Sequence, residues 1–228
     1  MAKRLKVVFA LLAAFAIMTR FGGGATAAGN PALNSDIQRL ALDWEHIKFE
    51  VRNPDDQESQ MAVLADRALQ ITKRYQNQPE AAIWLGIIVS EQASMASENG
   101  SPFKALGLAA RARDILDPVE KSDPMACDAG APTSLGVLYY RVPGFPISFG
   151  DTSKARQYLQ KAIANAPNGM DANYFYGDFL YQQHEYAEAT KVLKHALALP
   201  AHRDRPIWDR ERRLVIQELL AKMQQATR

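Results

Sequence analysis

The chain contains few side chains whose types and spacing could support catalysis or hold a metal ion. Its one cysteine, Cys127, could act as a nucleophile or pair with a second molecule. No histidine lies near it in the sequence, which favours a small buried residue. The four histidines, at positions 46, 184, 195 and 202, lack the spacing of metal ligands. The adjacent carboxylates Asp55 and Asp56 could act as a pair, but neighbouring side chains in a turn point apart, so a solvated loop is expected. Phosphate-binding loops, nucleophile elbows and zinc-protease motifs do not occur in the sequence. These patterns predict no enzyme, no cofactor and no metal site.

Binding chemistry is better represented, in a segment rich in proline and aromatic residues from Arg141 to Gly150. Pro143 and Pro146 exclude a helix there, and Phe145 and Phe149 bring large apolar side chains into the expected loop. Such a loop can plug a gap between helices or line a ligand site, and the sequence leaves both interpretations open.

The elements that must position these residues are helices. Apolar residues recur at helical spacing from Ile37 to Tyr75, which predicts two helices separated by a turn at 53–56. Ser35 and Gln38 suggest a capping box at the first helix start. Near the C-terminus, apolar residues between Ile207 and Met223 predict a capping helix. The mixed charges at 202–205 and 209–213 resemble surface ion pairs, each of which contributes little to stability.

Between these flanks a pattern occurs three times, and internal repeats take priority in such a chain. In this pattern, Leu-Gly or a similar pair lies on a first helix. A second helix then carries Ala, a large residue and Ala, and a Pro closes the repeat; the first repeat has Ala109 at the large position. The matches are Leu85-Gly86 with Ala105, Ala109, Ala112 and Pro118; Leu135-Gly136 with Ala155, Leu159, Ala162 and Pro167; and Tyr176-Gly177 with Ala189, Leu193, Ala196 and Pro200. The step from Ala155 to Ala189 is 34 residues, which is the tetratricopeptide period. The sequence therefore predicts an all-α solenoid of about three tetratricopeptide-type hairpins, with flanking N-terminal helices and a C-terminal capping helix.

Two departures from this pattern locate the candidate site. In the third repeat, Gly177 precedes Ala189 by 12 residues. In the first two repeats the glycine precedes the corresponding alanine by 19 residues, so each carries seven extra residues between its two helices. In the first repeat we interpret the excess, at 94–102, as a longer helix and a loop; in the second it is the proline-aromatic segment. The first helix of a repeat usually lines the concave face of a solenoid, which adds residues of the third repeat to the site. The candidate binding residues are Tyr140, Phe145, Phe149, Asn173, Tyr174 and Asp178.

The N-terminus predicts export. Lys3, Arg4 and Lys6 precede an apolar stretch from Val7 to Met18, and Ala25-Thr26-Ala27 suits a signal peptidase. We therefore divide the chain into a signal peptide at 1–28 and a single helical domain at 29–228; the alternative is an uncleaved anchor. Removing the four basic residues of the leader changes the formal net charge from +2 to −2, which argues against nucleic-acid binding. A periplasmic protein is expected, and not a lipoprotein, because no cysteine follows the apolar stretch closely. The mature chain shows no further apolar stretch that could span a membrane.

Two runs, 135–151 and 171–180, resemble the central motif of bacterial exported tetratricopeptide proteins similar to the TRAP-transporter-associated T component (TatT-like). This resemblance implies a periplasmic helical protein that binds a protein partner or a hydrophobic ligand. It does not extend to the lipid-bearing cysteine of the T components, so the transporter role is not carried over. The expected function is a binding or interaction module for a protein partner or a hydrophobic or amphiphilic small ligand. The alternative is a scaffold subunit of an envelope or transporter-associated assembly, and the sequence leaves the oligomeric state open.

Overall fold

The computed structural model describes residues 30–226, and the predicted signal peptide at 1–28 lies outside the described residues. Within this range the chain forms nine α-helices: α1 (Pro31–Phe49), α2 (Pro54–Arg74), α3 (Pro79–Glu98), α4 (Pro102–Ser122), α5 (Ala126–Arg141), α6 (Thr152–Asn165), α7 (Met170–Gln182), α8 (Tyr186–Ala198) and α9 (Pro206–Ala226). Among the helices of the described part, none is long and apolar enough to cross a membrane.

The starts of the first two helices depend on asparagine and proline. Asn30 and Asn53 accept backbone N–H groups of the first turn, and a proline follows each of them at the first helical position. The predicted capping box at Ser35 is therefore wrong, since α1 begins four residues earlier. Asp55 also lies in the first turn of α2 and not in a loop. A carboxylate at this end of a helix stabilises it by interacting with the positive end of the helix dipole.

Consecutive helices pack as antiparallel hairpins at glycine–leucine contacts. A Cβ atom added at Gly86, Gly136 or Gly177 would lie 2.5 to 2.6 Å from the Cγ atom of Leu116, Leu159 or Leu193 on the second helix. Glycine is thus required because the helices approach each other closely. This arrangement confirms the predicted all-α solenoid of tetratricopeptide-type hairpins.

The first hairpin corrects one detail of the predicted repeat. Gly86 contacts Leu116, so the counterpart of Ala155 is Ala112 and not Ala105. The distance from the glycine to this alanine is 26, 19 and 12 residues in the three hairpins. Each step of seven residues is close to two helical turns, so the same face still points at the partner helix. The helix end predicted at Pro118 is wrong for the same reason, because α4 continues to Ser122.

The helices form two layers. Among the described elements, α1, α3, α5 and α7 each pack against the next odd-numbered helix, and α9 contacts both α7 and α1. The odd-numbered helices α3, α5 and α7 are buried on most of their surface, whereas α2, α4, α6 and α8 bury only one stripe. The inner layer carries the three tryptophans, Trp44, Trp84 and Trp208, all fully buried.

Candidate binding groove

A groove of about 590 Å³ lies where the C-terminal ends of α5 and α7 face α9. Its size is typical of ligand-binding clefts. Two helices of the inner layer supply one wall and the floor, and α9 supplies the opposite wall. The lining residues are Tyr140, Arg141, Tyr174, Asp178, Tyr181, Gln182, Gln183, Val215, Glu218, Leu219 and Lys222.

The floor of the groove is a hydrogen-bonded ion pair between the two inner helices. The Tyr140 hydroxyl donates to Asp178 Oδ2 at 2.5 Å, and an Arg141 guanidinium nitrogen donates to the same oxygen at 2.7 Å. Arg141 Nε also donates to the Tyr140 hydroxyl at 3.1 Å. Arg141 and Asp178 expose 9% and 10% of their side chains. Pairing is therefore essential here, since unpaired charges at this depth are costly.

The pKa values of two floor residues reflect this burial. Burial raises the pKa of the Tyr140 phenol well above its usual value, so the hydroxyl remains a hydrogen-bond donor. Burial alone would lower the pKa of Arg141, but the adjacent Tyr140 and Asp178 raise it. The guanidinium therefore stays charged across the physiological pH range.

The rim is polar and more exposed. The end of α7 contributes Tyr181, Gln182 and Gln183, and Tyr181 packs against Tyr186 with ring centroids 5.7 Å apart. The α9 wall contributes Glu218 and Lys222, both exposed and one helical turn apart. These two charges cancel, as do those of the floor, so the lining of the groove has no net charge.

The structure brings three of the six candidate residues together in the groove: Tyr140, Tyr174 and Asp178. Asn173 lies elsewhere, because its amide is buried and donates to the carbonyl oxygens of Pro167 and Gly169, each at 2.9 Å. These bonds join the turn before α7 to its first turn, which is a structural role.

The aromatic residues of the loop at 142–151 do not line the groove. Phe149 packs edge-on against Tyr139, with ring centroids 5.4 Å apart, and lies beneath the Arg113 guanidinium at 4.5 Å. Phe145 is 93% exposed. The loop is closed by a hydrogen bond from the Gly150 amide to the Pro143 carbonyl at 2.9 Å. The loop is thus non-helical, as predicted, but Phe149 serves packing and Phe145 faces solvent.

Two buried arginines hold the α9 wall in place. Arg212 donates to Asp171 Oδ1 at 2.9 Å and lies over the Tyr174 ring at 4.1 Å. Just before α9, Arg205 pairs with Glu45 of α1, whose other carboxylate oxygen accepts the Trp208 amide at 3.2 Å. The prediction that these charged runs form surface ion pairs is wrong for Arg205 and Arg212, which expose 3% and 2% of their surface.

A sequence signal for this buried arrangement exists in the spacing of the C-terminal residues. Arg205, Trp208, Arg212, Ile216 and Leu219 follow one another at spacings of three and four, which places them on one helical stripe. The stripe is the buried side of the C-terminal segment. Its arginines face carboxylates far away in the sequence, and a local pattern does not show such partners.

The remaining reactive side chains lie outside the groove lining. Cys127 is half-buried at the start of α5, in a left-handed turn with φ of +50°. Burial raises the pKa of its thiol well above the usual value, which keeps it protonated and weakly nucleophilic. Residues 30–226 contain no group of three or more histidine, cysteine, aspartate or glutamate side chains arranged to hold a metal ion.

Comparison with known proteins supports the repeat assignment. Residues 147–208 match the tetratricopeptide repeat family, a span that contains α6, α7, α8 and the start of α9. No curated protein sequence matched the chain. The chain therefore contains a tetratricopeptide repeat, and such repeats are generally non-catalytic modules for protein interaction or scaffolding.

Proposed function

We propose that this protein is an exported interaction module of the bacterial periplasm, in which the groove between α7 and α9 receives a segment of a partner protein. The tetratricopeptide match supports an interaction role. The observation that carries the proposal is the groove itself, about 590 Å³ in volume, over a floor whose Tyr140, Arg141 and Asp178 side chains are already ordered by mutual hydrogen bonds. Since these side chains are held before binding, a ligand loses less affinity to their ordering.

A hydrophobic ligand receives less support from this site. Of the lining residues only Val215 and Leu219 are aliphatic, and Leu219 exposes 8% of its surface. Apolar ligands require pockets lined mainly by hydrophobic side chains. We therefore favour a protein segment over the amphiphilic small molecule that the loop aromatics suggested.

A scaffold role is the second candidate, and it rests on a different surface. The loop at 142–151 presents Phe145 and Ile147 to solvent, with 93% and 59% of their surfaces exposed. Ile147 is tied to Gly144 by a backbone hydrogen bond at 3.0 Å, so the loop is ordered. Exposed apolar residues on an ordered loop are suited to contact with another subunit.

Export is supported by the basic, apolar and small-residue regions of the leader at 1–28. N-terminal sequencing of protein recovered from a periplasmic extract should begin at Ala28 or Gly29. Recovery of chains that begin at Met1 or Ala2 would contradict export by a cleaved signal.

Binding at the groove is tested by crosslinking in a periplasmic extract, followed by mass spectrometry of the captured proteins. The groove variant combines Gln182→Ala with Gln183→Ala, at the rim. The matched control combines Gln38→Ala with Gln70→Ala, at exposed positions of α1 and α2. We expect the wild type and the control to capture the same partner, and the groove variant to lose it. Undiminished capture by the groove variant would refute the groove as the binding site.

A further inference from the structure

The charges that line the groove cancel at two levels, and this cancellation limits what can bind. On the floor, Arg141 pairs with Asp178. On the rim, Glu218 and Lys222 lie one turn apart on α9. We infer that the groove selects an uncharged, extended polar segment of the partner protein and discriminates against acidic and basic segments. This inference rests on the proposed function, because it names the class of segment that the same groove takes.

An acidic segment gains little from Arg141. The guanidinium already donates to Asp178 at 2.7 Å and to the Tyr140 hydroxyl at 3.1 Å. A ligand carboxylate would have to displace Asp178 or lie beside it. Displacement leaves a buried carboxylate without its cation, and proximity places two like charges together. Neither arrangement favours an acidic ligand.

A basic segment likewise gains little from the carboxylates of the groove. Asp178 Oδ2 accepts hydrogen bonds from both Tyr140 and Arg141. The other lining carboxylate, Glu218, lies on the exposed wall with Lys222 one helical turn away. Residues four apart on a helix are neighbours on its surface, so an incoming ammonium group would approach an existing positive charge.

An uncharged main chain fits the groups that remain. Gln182 and Gln183 each carry an amide donor and an amide acceptor, which is the combination that a peptide backbone presents. The half-buried Tyr181 ring beside them offers a flat surface and a hydroxyl. Such contacts recognise the backbone and small polar side chains. The scarcity of aliphatic residues in the lining gives an apolar segment no anchor pocket.

The inference is tested with four sets of fluorescent peptides of equal length and the full mature chain. One set contains only Gly, Ser, Thr, Asn and Gln, and the others replace alternate residues with Asp, Lys or Leu. We expect the uncharged set to bind best, with a dissociation constant that changes less than about twofold between roughly 0.01 M and roughly 1 M salt. The screening length falls from about 30 Å to about 3 Å over that range, so charge-driven binding would weaken strongly.

Charge variants then change the selectivity in opposite directions. Glu218→Lys makes the lining positive and should shift the preference to the Asp set, whereas Lys222→Glu should shift it to the Lys set. The matched controls, Glu188→Lys and Lys191→Glu, make the same changes in chain charge on exposed positions of α8 outside the groove lining. These controls should keep the preference of the wild type.

The outcomes separate the inference from the proposed function. If the wild type prefers the Asp, Lys or Leu set, or binds no peptide set, the inference is overturned, while loss of partner capture by the Gln182 and Gln183 variant still supports the groove. A neutral oligosaccharide that displaces the uncharged peptides, and binds more tightly than they do, would also overturn the inference in favour of a glycan. Unchanged capture by that glutamine variant would refute the proposed function itself.

Discussion

Replacement of Gly177 by alanine tests the helix–helix contact on which the repeat architecture depends. The added Cβ atom would lie 2.5 Å from Leu193 Cγ and 2.6 Å from Leu193 Cδ2. Carbon atoms in contact are normally about 3.5–4.0 Å apart. Either Leu193, which is fully buried, must move by about 1 Å or more, or α7 and α8 must separate.

The magnitude follows from two opposing effects. Inserting a methyl group into a well-packed core costs about 1–3 kcal/mol. Alanine in a helix interior is favoured over glycine by about 1 kcal/mol, so the free energy of unfolding should fall by a net amount of about 0–2 kcal/mol. Gly107 provides the matched control. It lies exposed inside α4, and a Cβ atom there would meet nothing within 4 Å. Gly107→Ala should therefore stabilise the protein by about 1 kcal/mol.

The decisive quantity is the difference between the two variants, because the helix propensity cancels and only the overpacking cost remains. Urea denaturation followed by circular dichroism should place the two unfolding free energies about 1–3 kcal/mol apart. In thermal scans, each kcal/mol corresponds to about 2–4 °C for a chain of this size. If Gly177→Ala stabilises the protein as much as Gly107→Ala does, the close approach of α7 and α8 is refuted, and with it the reason for the glycine in the repeat.

Three further predictions follow from single residues. Phe145→Ala should change stability by less than about 0.5 kcal/mol, because the ring is 93% exposed, whereas Phe149→Ala should cost on the order of 2 kcal/mol in urea denaturation; equal effects would contradict the packing of the loop. Burial raises the pKa of Asp171 to about 6 in the folded protein, whereas the unfolded chain binds this proton only near pH 4. The protonated Asp171 therefore stabilises the folded state at low pH, and this stabilisation is lost as the pH rises through 6. The stability of the wild type relative to Asp171→Asn should therefore be greater at pH 4.5 than at pH 7 by about 2 kcal/mol, and the opposite slope in denaturation curves would refute the raised pKa. Cys127→Ala should leave partner capture unchanged, and a loss of capture in a stable protein would show that the thiol takes part.

The sequence was sufficient to predict the repeated hairpins because their determinants are local. Gly136 and Leu159, or Gly177 and Leu193, follow each other within about one repeat, and their types report the packing of adjacent helices directly. The same reasoning misplaced the first repeat by two turns. Ala105 and Ala112 lie on the same face of α4 and both are fully buried, so a pattern of small residues alone fits either register.

The candidate groove was only partly predictable. Tyr140, Tyr174 and Asp178 were accessible to sequence reasoning because the first helices of repeats line the inner layer. The opposite wall was not, since it comes from α9 and reaches the groove through tertiary contacts. Phe145 and Phe149 lie outside this groove for a different reason. A loop that carries aromatic residues can turn them outward or back onto its own hairpin, and the direction depends on backbone geometry that composition does not encode.

The buried arginines explain why α9 presents its particular residues to the groove. Removing one member of a buried ion pair leaves an uncompensated charge, at a cost of about 3–5 kcal/mol. A shift of α9 by one turn would move Arg212 away from Asp171 and move Trp208 away from the Glu45 carboxylate that accepts its amide. It would thus leave the Asp171 carboxylate on α7 without its cation and remove a hydrogen bond from the Glu45 carboxylate on α1. Packing of Ile216 and Met223 alone would discriminate less, since apolar side chains tolerate exchange of similar volume. The Arg212–Asp171 ion pair and the Trp208–Glu45 hydrogen bond therefore set the register of α9, and this register places Val215, Glu218 and Lys222 opposite Asp178.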